Sequence, residues 1–309
     1  MGKVGTKIKY GFIILDILVA ITFLVLSYLE YQKRNDTLKE KDKLKSDYQE
    51  ILNDVEVAKS EVTEVDAKIE ELNRIDERTN EQMEKVIKLA SELEKKIQAK
   101  ETNYKIAYLT FDDGPYYNTY KVLEILKKYD VKATFFTTNI NGTKCYDKSS
   151  YNCQELYQEY AKAHHTIANH TYTHAIFKGL YKSVASFMDA IVKQEELIKS
   201  KTGLTTNIAR FPGGSGTAGK LKSGIIDKLR ERGYGWVDWT AQDGDGGSLT
   251  DKTTGWNNFK NSINSGIEVV LFHDYNKITT NLLPEAIEYL QSKNYILLPL
   301  FYDSVMINK

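Results

Sequence analysis

The chain changes texture at Asn103, and that break does most to limit what it can fold into. Residues 36–101 contain no Gly or Pro and are dense in Lys and Glu. Beyond Asn103 lie every Pro, every Trp, all five His, and every Gly except Gly2, Gly5 and Gly11. Before the break, apolar positions step alternately by four and three from Leu44 through Tyr48, Ile51, Val55, Ala58, Val62, Val65, Ile69 and Leu72. The stripe resumes at Met83, Val86, Ala90, Leu93 and Ile97. This spacing predicts a coiled coil or a long amphipathic helix, roughly 80 Å long over 44–97 at 1.5 Å per residue. Asp76 and Thr79 interrupt the stripe. A helical hairpin bending near Asp76 is the rival reading, disfavoured because the phase survives and no turn residue is present.

After the break, strand and helix patterns alternate. Strands are expected at 105–111, 132–138, 165–169, 206–211, 234–238, 267–273 and 295–299, with helices at 118–129, 154–164, 183–201, 219–232 and 280–293. Such alternation implies a mostly parallel α/β sheet, open or closed into a barrel. The expected domains are a head and anchor at 1–35, a stalk at 36–103 and one catalytic or binding domain at 104–309.

Residues Gly11 to Leu29 are almost wholly apolar behind Lys3, Lys7 and Lys9, and nineteen residues match a ~30 Å hydrocarbon core. An uncleaved transmembrane anchor with a cytoplasmic N-terminus is expected, since no Ala-x-Ala-like site follows to favour a cleaved signal peptide. The 42 basic residues balance 42 acidic ones, which leaves no electrostatic case for nucleic acid. The only cysteines, Cys145 and Cys153, lie in a polar segment and suggest one loop-stapling disulfide outside the cytoplasm. Two unrelated free thiols are the alternative.

Five polar motifs end predicted strands. Leu109-Thr110-Phe111-Asp112-Asp113-Gly114-Pro115 places two adjacent carboxylates where α/β enzymes build active sites. Two carboxylates this close need a cation or a donor to relieve their repulsion. His170-Thr171-Tyr172-Thr173-His174 has a spacing that lets two imidazoles converge on one metal. Arg210-Phe211-Pro212-Gly213-Gly214 ends another strand, and its glycines allow a ligand close to the backbone. Trp236-Val237-Asp238-Trp239 opens a polar loop with Asp243 and Asp245, a poor calcium loop because Gly247 occupies position five and no acid closes it. Val269 to Asp274 is a buried strand ending in His273 and Asp274.

This ordered set, TFDDGP, HTYTH, RFPGG, VDW and LFH, strongly resembles the polysaccharide deacetylase family, carbohydrate esterase family 4 or the NodB homology domain, over about 104–300. The resemblance implies a distorted, partly open (β/α) barrel. It makes Asp113, His170 and His174 the ligands of a divalent cation, zinc first, with Co2+ or Mn2+ as alternatives. Asp112 becomes the general base and Arg210 the arginine that keeps it ionised. His273 becomes the acid that protonates the departing amine, with Asp238 raising its pKa and orienting it. The Gly213 N–H would help hold the oxyanion, where relatives often have an aromatic residue, and Leu271 and Trp239 would wall the acetyl methyl pocket. Departures are an insertion at Asn141–Tyr157, and His164 where relatives usually carry Gly; His165 reads as structural.

Joined to the expected anchor and stalk, the resemblance implies a membrane-anchored, extracytoplasmic metallohydrolase removing N-acetyl groups from cell-wall glycan, in particular the N-acetylglucosamine of peptidoglycan. A chitooligosaccharide deacetylase or a xylan O-acetyl esterase would use the same residues. A non-catalytic glycan-binding or coiled-coil scaffold is the reading from another class. A homodimer through the stalk is the expected assembly.

Overall fold

A computed structural model describes residues 79–140 and 153–309 of the 309-residue chain. The expected anchor at 11–29, Cys145 and the first part of the stalk lie outside the described residues. Among those described, no helix is long and apolar enough to cross a membrane.

Helix α1 (Thr79–Gln98) leads into β1 (Lys105–Asp112), α2 (Thr119–Lys128) and β2 (Thr134–Thr137). There follow α3 (Leu156–Lys162), β3 (Thr166–Asn169), α4 (Val184–Thr202), β4 (Ile208–Ala209), α5 (Lys222–Glu231) and β5 (Gly235–Trp236). The chain ends with β6 (Ala241–Gln242), α6 (Lys252–Ser262), β7 (Ile267–His273), α7 (Lys277–Ser292) and β8 (Tyr295–Leu298). Local chemistry sets several boundaries. Ser183 caps α4 by accepting from the Ser186 N–H, and Gly203 closes that helix in the left-handed region at φ 72°. Asp251 caps α6 by accepting from the Thr254 N–H.

The eight strands form one sheet in the order β5-β4-β3-β2-β1-β7-β6, and every pairing is parallel. It is a curled half-barrel, with β5 and β6 at opposite ends of the path. One edge of β1 is shared: β2 pairs with Thr110–Asp112, while β8 pairs with Lys105–Tyr108. Parallel strands are covered on both faces, and β1 and β7 are accordingly buried almost throughout.

Alternation along the strands separates two cores. Ile106, Tyr108, Phe136, Ala168, Ile208, Val237 and Val269 share one face. Ala107, Leu109, Phe111, Phe135, Ile167, Val270 and Phe272 share the other, against the outer helices. Continuing the same period past the apolar positions assigns Thr110, Asp112, His170, Arg210, Leu271 and His273 to the first face.

Strands expected at 206–211 and 234–238 shrink to two residues each, and β6 and α6 have no counterpart in the sequence reading. Helix α6 was hidden by its composition, Lys-Thr-Thr-Gly-Trp-Asn-Asn-Phe-Lys-Asn-Ser, in which Trp256 and Phe259 alone mark an apolar face. A further difference concerns α1, the described end of the expected stalk. Its stripe residues Ala90, Leu93 and Ile97 pack into the first core face. Glu94, 2% exposed, accepts hydrogen bonds from the Tyr108 hydroxyl at 2.5 Å and the Val305 N–H at 3.0 Å. This part of the stripe is taken up by the domain's own core.

Candidate active site

The site lies on the rim formed by the C-terminal ends of β1, β3, β4 and β7. Strand alternation turns Asp112 inward. Asp113 follows with φ 71°, a left-handed backbone that breaks the alternation and lets its carboxylate join the same site. Thr171 and His174 also have positive φ, 67° and 48°, and the loop they shape brings the second imidazole beside the first. The two rings have centroids 5.0 Å apart.

One ligand atom from each of Asp113, His170 and His174 lies within 4.8 Å of the other two. His174 Nε2 stands 3.3 Å from Asp113 Oδ1, and His170 Nε2 stands 3.6 Å from it. The Arg210 carbonyl, 2.8 Å from His170 Nδ1, can only accept, so Nδ1 carries the proton. Burial lowers the His170 pKa below its ordinary value, leaving Nε2 as a bare lone pair facing the carboxylates. Asp113 Oδ1 is buried and makes no hydrogen bond. A lone pair and an orphaned carboxylate oxygen aimed at one point fit a divalent cation.

Asp112 borders this cluster, its Oδ2 3.4 Å from His170 Nε2, but its other oxygen is taken by Arg210. Arg210 Nη1 donates to Asp112 Oδ1 at 2.8 Å and to Thr110 Oγ1 at 2.7 Å. Its Nε donates to the Val237 carbonyl at 3.2 Å and its Nη2 to the Asp238 carbonyl at 3.1 Å. The guanidinium is fully buried, 4.1 Å above the Phe136 ring. Burial alone would raise the Asp112 pKa, but the Arg210 charge and hydrogen bond outweigh it and hold the carboxyl below its usual range. Its ionised form is therefore available to accept a proton.

His273 faces them, with Nε2 3.9 Å from Asp113 Oδ2. The sequence reading assigned its partner to Asp238, and this is corrected by the geometry. Asp245 Oδ1 lies 2.7 Å from His273 Nδ1, and Asp245 Oδ2 accepts the His273 backbone N–H at 2.7 Å. Burial lowers the imidazole pKa, but the Asp245 hydrogen bond and charge, with the charges of Asp113 and Asp112, raise it to about 9. Asp238 instead accepts from the Ser215 N–H and hydroxyl at 2.9 and 2.6 Å. The cause is topological. Asp238 follows β5 at one end of the strand path, whereas Asp245 follows β6, which pairs with β7 through Ala241↔Val270 and Gln242↔Leu271.

Gly213 sits in a turn at φ 73°, where an added Cβ would meet Thr217 Oγ1 at 3.0 Å and Ile176 Cδ1 at 3.2 Å. Trp239 lies over Gly214, 3.1 Å from where a Cβ would stand, and Leu271 is buried two residues before His273 on the same strand. His165 sits away from the cluster, accepting from the Ala133 N–H at 3.1 Å. Burial pushes its pKa down to about 3, as befits a neutral structural histidine. Cys153 is buried against Tyr117, Tyr120 and Leu123. The sequence reading missed Asp245, Thr110, Ser215 and Thr279 as supporting residues. Only the Asp-Gly-Asp run at 243–245 carried any signal, in two acids placed in a loop too poor for calcium.

A family model described as polysaccharide deacetylase matches residues 99–230. A peptidoglycan-N-acetylglucosamine deacetylase of Bacillus cereus is 30% identical over 225 residues, covering 69% of this chain and 78% of its own. A chitin deacetylase of Pestalotiopsis sp. is 31% identical over 188 residues, covering 60% of this chain and 59% of the relative. Among solved structures, the catalytic domain of a peptidoglycan N-acetylglucosamine deacetylase from Eubacterium rectale superposes with a TM-score of 0.60 at 32% identity. It covers 66% of this chain and 92% of that one.

Proposed function

The chain belongs to the polysaccharide deacetylase family, and from that premise we propose that it hydrolyses N-acetyl groups of cell-wall glycan, with the N-acetylglucosamine of peptidoglycan as substrate. The observation that carries the reading is geometric: an Asp112–Arg210 ion pair at 2.8 Å and a His273–Asp245 pair at 2.7 Å face each other across one rim. Asp112 is held ionised by Arg210, while His273 is held protonated beside Asp245.

Asp113, His170 and His174 would hold the divalent cation, zinc in our reading, which when bound supplies Lewis-acid polarisation of the acetyl carbonyl. Asp112 takes a proton from the attacking water as its oxygen bonds to the carbonyl carbon. Arg210 keeps Asp112 oriented and ionised throughout. The Gly213 N–H donates to the oxyanion. His273 gives its Nε2 proton to the amide nitrogen as the C–N bond breaks, so acetate and a free amine leave. The proton held by Asp112 and the one shed by acetic acid pass to solvent, and His273 regains a proton from solvent beside the Asp245 carboxylate. Trp239 and Leu271 enclose the methyl group. Tyr116 and Tyr275, with ring centroids 5.1 Å apart, extend from His273 as a surface for sugar rings.

The apolar run at 11–29 supports a single-pass anchor with the catalytic domain outside the cytoplasm, and the heptads N-terminal to α1 support a homodimer. The Cys145–Cys153 pairing would staple the insertion. Acetate release from purified peptidoglycan, chitin oligomers and acetylxylan tests the substrate assignment. Release from chitin or xylan with none from peptidoglycan would overturn it.

A further inference from the structure

Behind His273, two buried acids compete for one hydroxyl. Asp243 is fully buried and Asp245 is 3% exposed. Thr279 Oγ1 lies 2.7 Å from Asp243 Oδ2 and 2.8 Å from Asp245 Oδ2. A hydroxyl has a single hydrogen to donate, so two ionised carboxylates at these distances would leave one oxygen pair in bare repulsion. A proton on one carboxyl removes that repulsion, and Thr279 Oγ1 is placed to accept it.

The surrounding donors decide which. Asp245 Oδ1 takes the His273 imidazole and Oδ2 already takes the His273 backbone N–H. Asp243 Oδ1 accepts the Asp245 backbone N–H at 3.1 Å, leaving Oδ2 free to be the protonated oxygen. We propose that Asp243 is a positioning residue, held as a neutral carboxylic acid that donates to Thr279 and thereby fixes the Asp245 carboxylate beneath His273.

Every group then has a consistent role. Asp243 Oδ2–H donates to Thr279, and Thr279 donates to Asp245 Oδ2. The elements packed around Asp243 bring Thr279 from α7, His273 from β7 and Asn258 from α6, whose amide donates to the Asp243 carbonyl at 3.0 Å. Among these neighbours the one anion is Asp245, and the one cation, His273, is already paired with it. In agreement, burial and the Asp245 charge push the Asp243 carboxyl up to about 8.

The catalytic consequence rests on the deacetylase reading, but the protonation state does not. Asp243→Asn is the informative variant, because its amide donates to Thr279 while its carbonyl still accepts from the Asp245 N–H. Infrared difference spectra of wild type against Asp243→Asn near neutral pH should show loss of a protonated-carboxyl C=O band. Asp274, which burial pushes up to about 7, is common to both samples and cancels. Loss of a carboxylate band instead would overturn the proposal. In acetate release, Asp243→Ala and Thr279→Val should lower kcat roughly tenfold, the scale of one unsatisfied buried polar group, with KM little changed, and Asp243→Asn should restore most of that loss. Asparagine as impaired as alanine, or alanine as active as wild type, would also overturn it. If wild type releases no acetate, the deacetylase reading fails while the infrared result still decides the proton's position.

Discussion

Asp112 and Asp113 are adjacent and chemically identical, yet they end in different environments because one backbone torsion separates them. Asp112 obeys the strand period and meets Arg210; Asp113, at φ 71°, turns toward the two imidazoles. Glycine matters at the same scale. A Cβ at Gly246 would stand 2.8 Å from His273 Cε1, closer than any normal contact. Gly246→Ala should therefore displace the imidazole and lower kcat at least tenfold, about 1.4 kcal/mol in the barrier, with the fold intact by circular dichroism. His165 gives a stability prediction. Its folded pKa, about 3, lies below the ordinary 6.5, so between these values the unfolded chain binds the extra proton. Its contribution is fully present above pH 6.5 and is lost as pH falls, at up to about 1.4 kcal/mol per pH unit. Urea unfolding across that window should show a shallower pH slope in His165→Gln than in wild type.

At the scale of elements, the long helices and buried strands were legible because their periods are strong. The strand at 267–273 has the boundaries the sequence predicts, and α4 differs from its expected range by one residue at each end. Two-residue strands carry no period, so β6 was invisible, and with it the placement of Asp245 beside His273. Helix α1 shows a second limit. Heptad spacing marks an apolar stripe but does not name what covers it, and here Ala90, Leu93 and Ile97 meet the sheet. Glu94 fastens that contact to Tyr108 and Val305. Glu94→Ala should destabilise the domain by about 1–3 kcal/mol, the cost of leaving buried donors unsatisfied, read as a lowered denaturation midpoint. A variant with unchanged stability would mean that α1 contributes little to the fold.

For the whole molecule, folding brings Asp113, His170 and His174, which stand apart in sequence, to one point that could hold a metal ion, so metal binding there should be linked to stability. Zinc at a hundredfold excess over its Kd should stabilise the protein by roughly 2.7 kcal/mol. The thermal midpoint should rise with added zinc in wild type, return on chelation, and stay unmoved in His174→Ala. A midpoint equally raised in that variant would place the binding elsewhere.

Adjacency along the chain determined the strand-end motifs, the Asp112-Asp113 pair and the His170–His174 spacing, because local order and period are properties of sequence alone. The tertiary structure decided which acid serves His273 and which hydroxyl links Asp243 to Asp245. Those partners are set by strand order across the sheet: β6 lies beside β7, while β5, separated from it by four residues, lies beside β4.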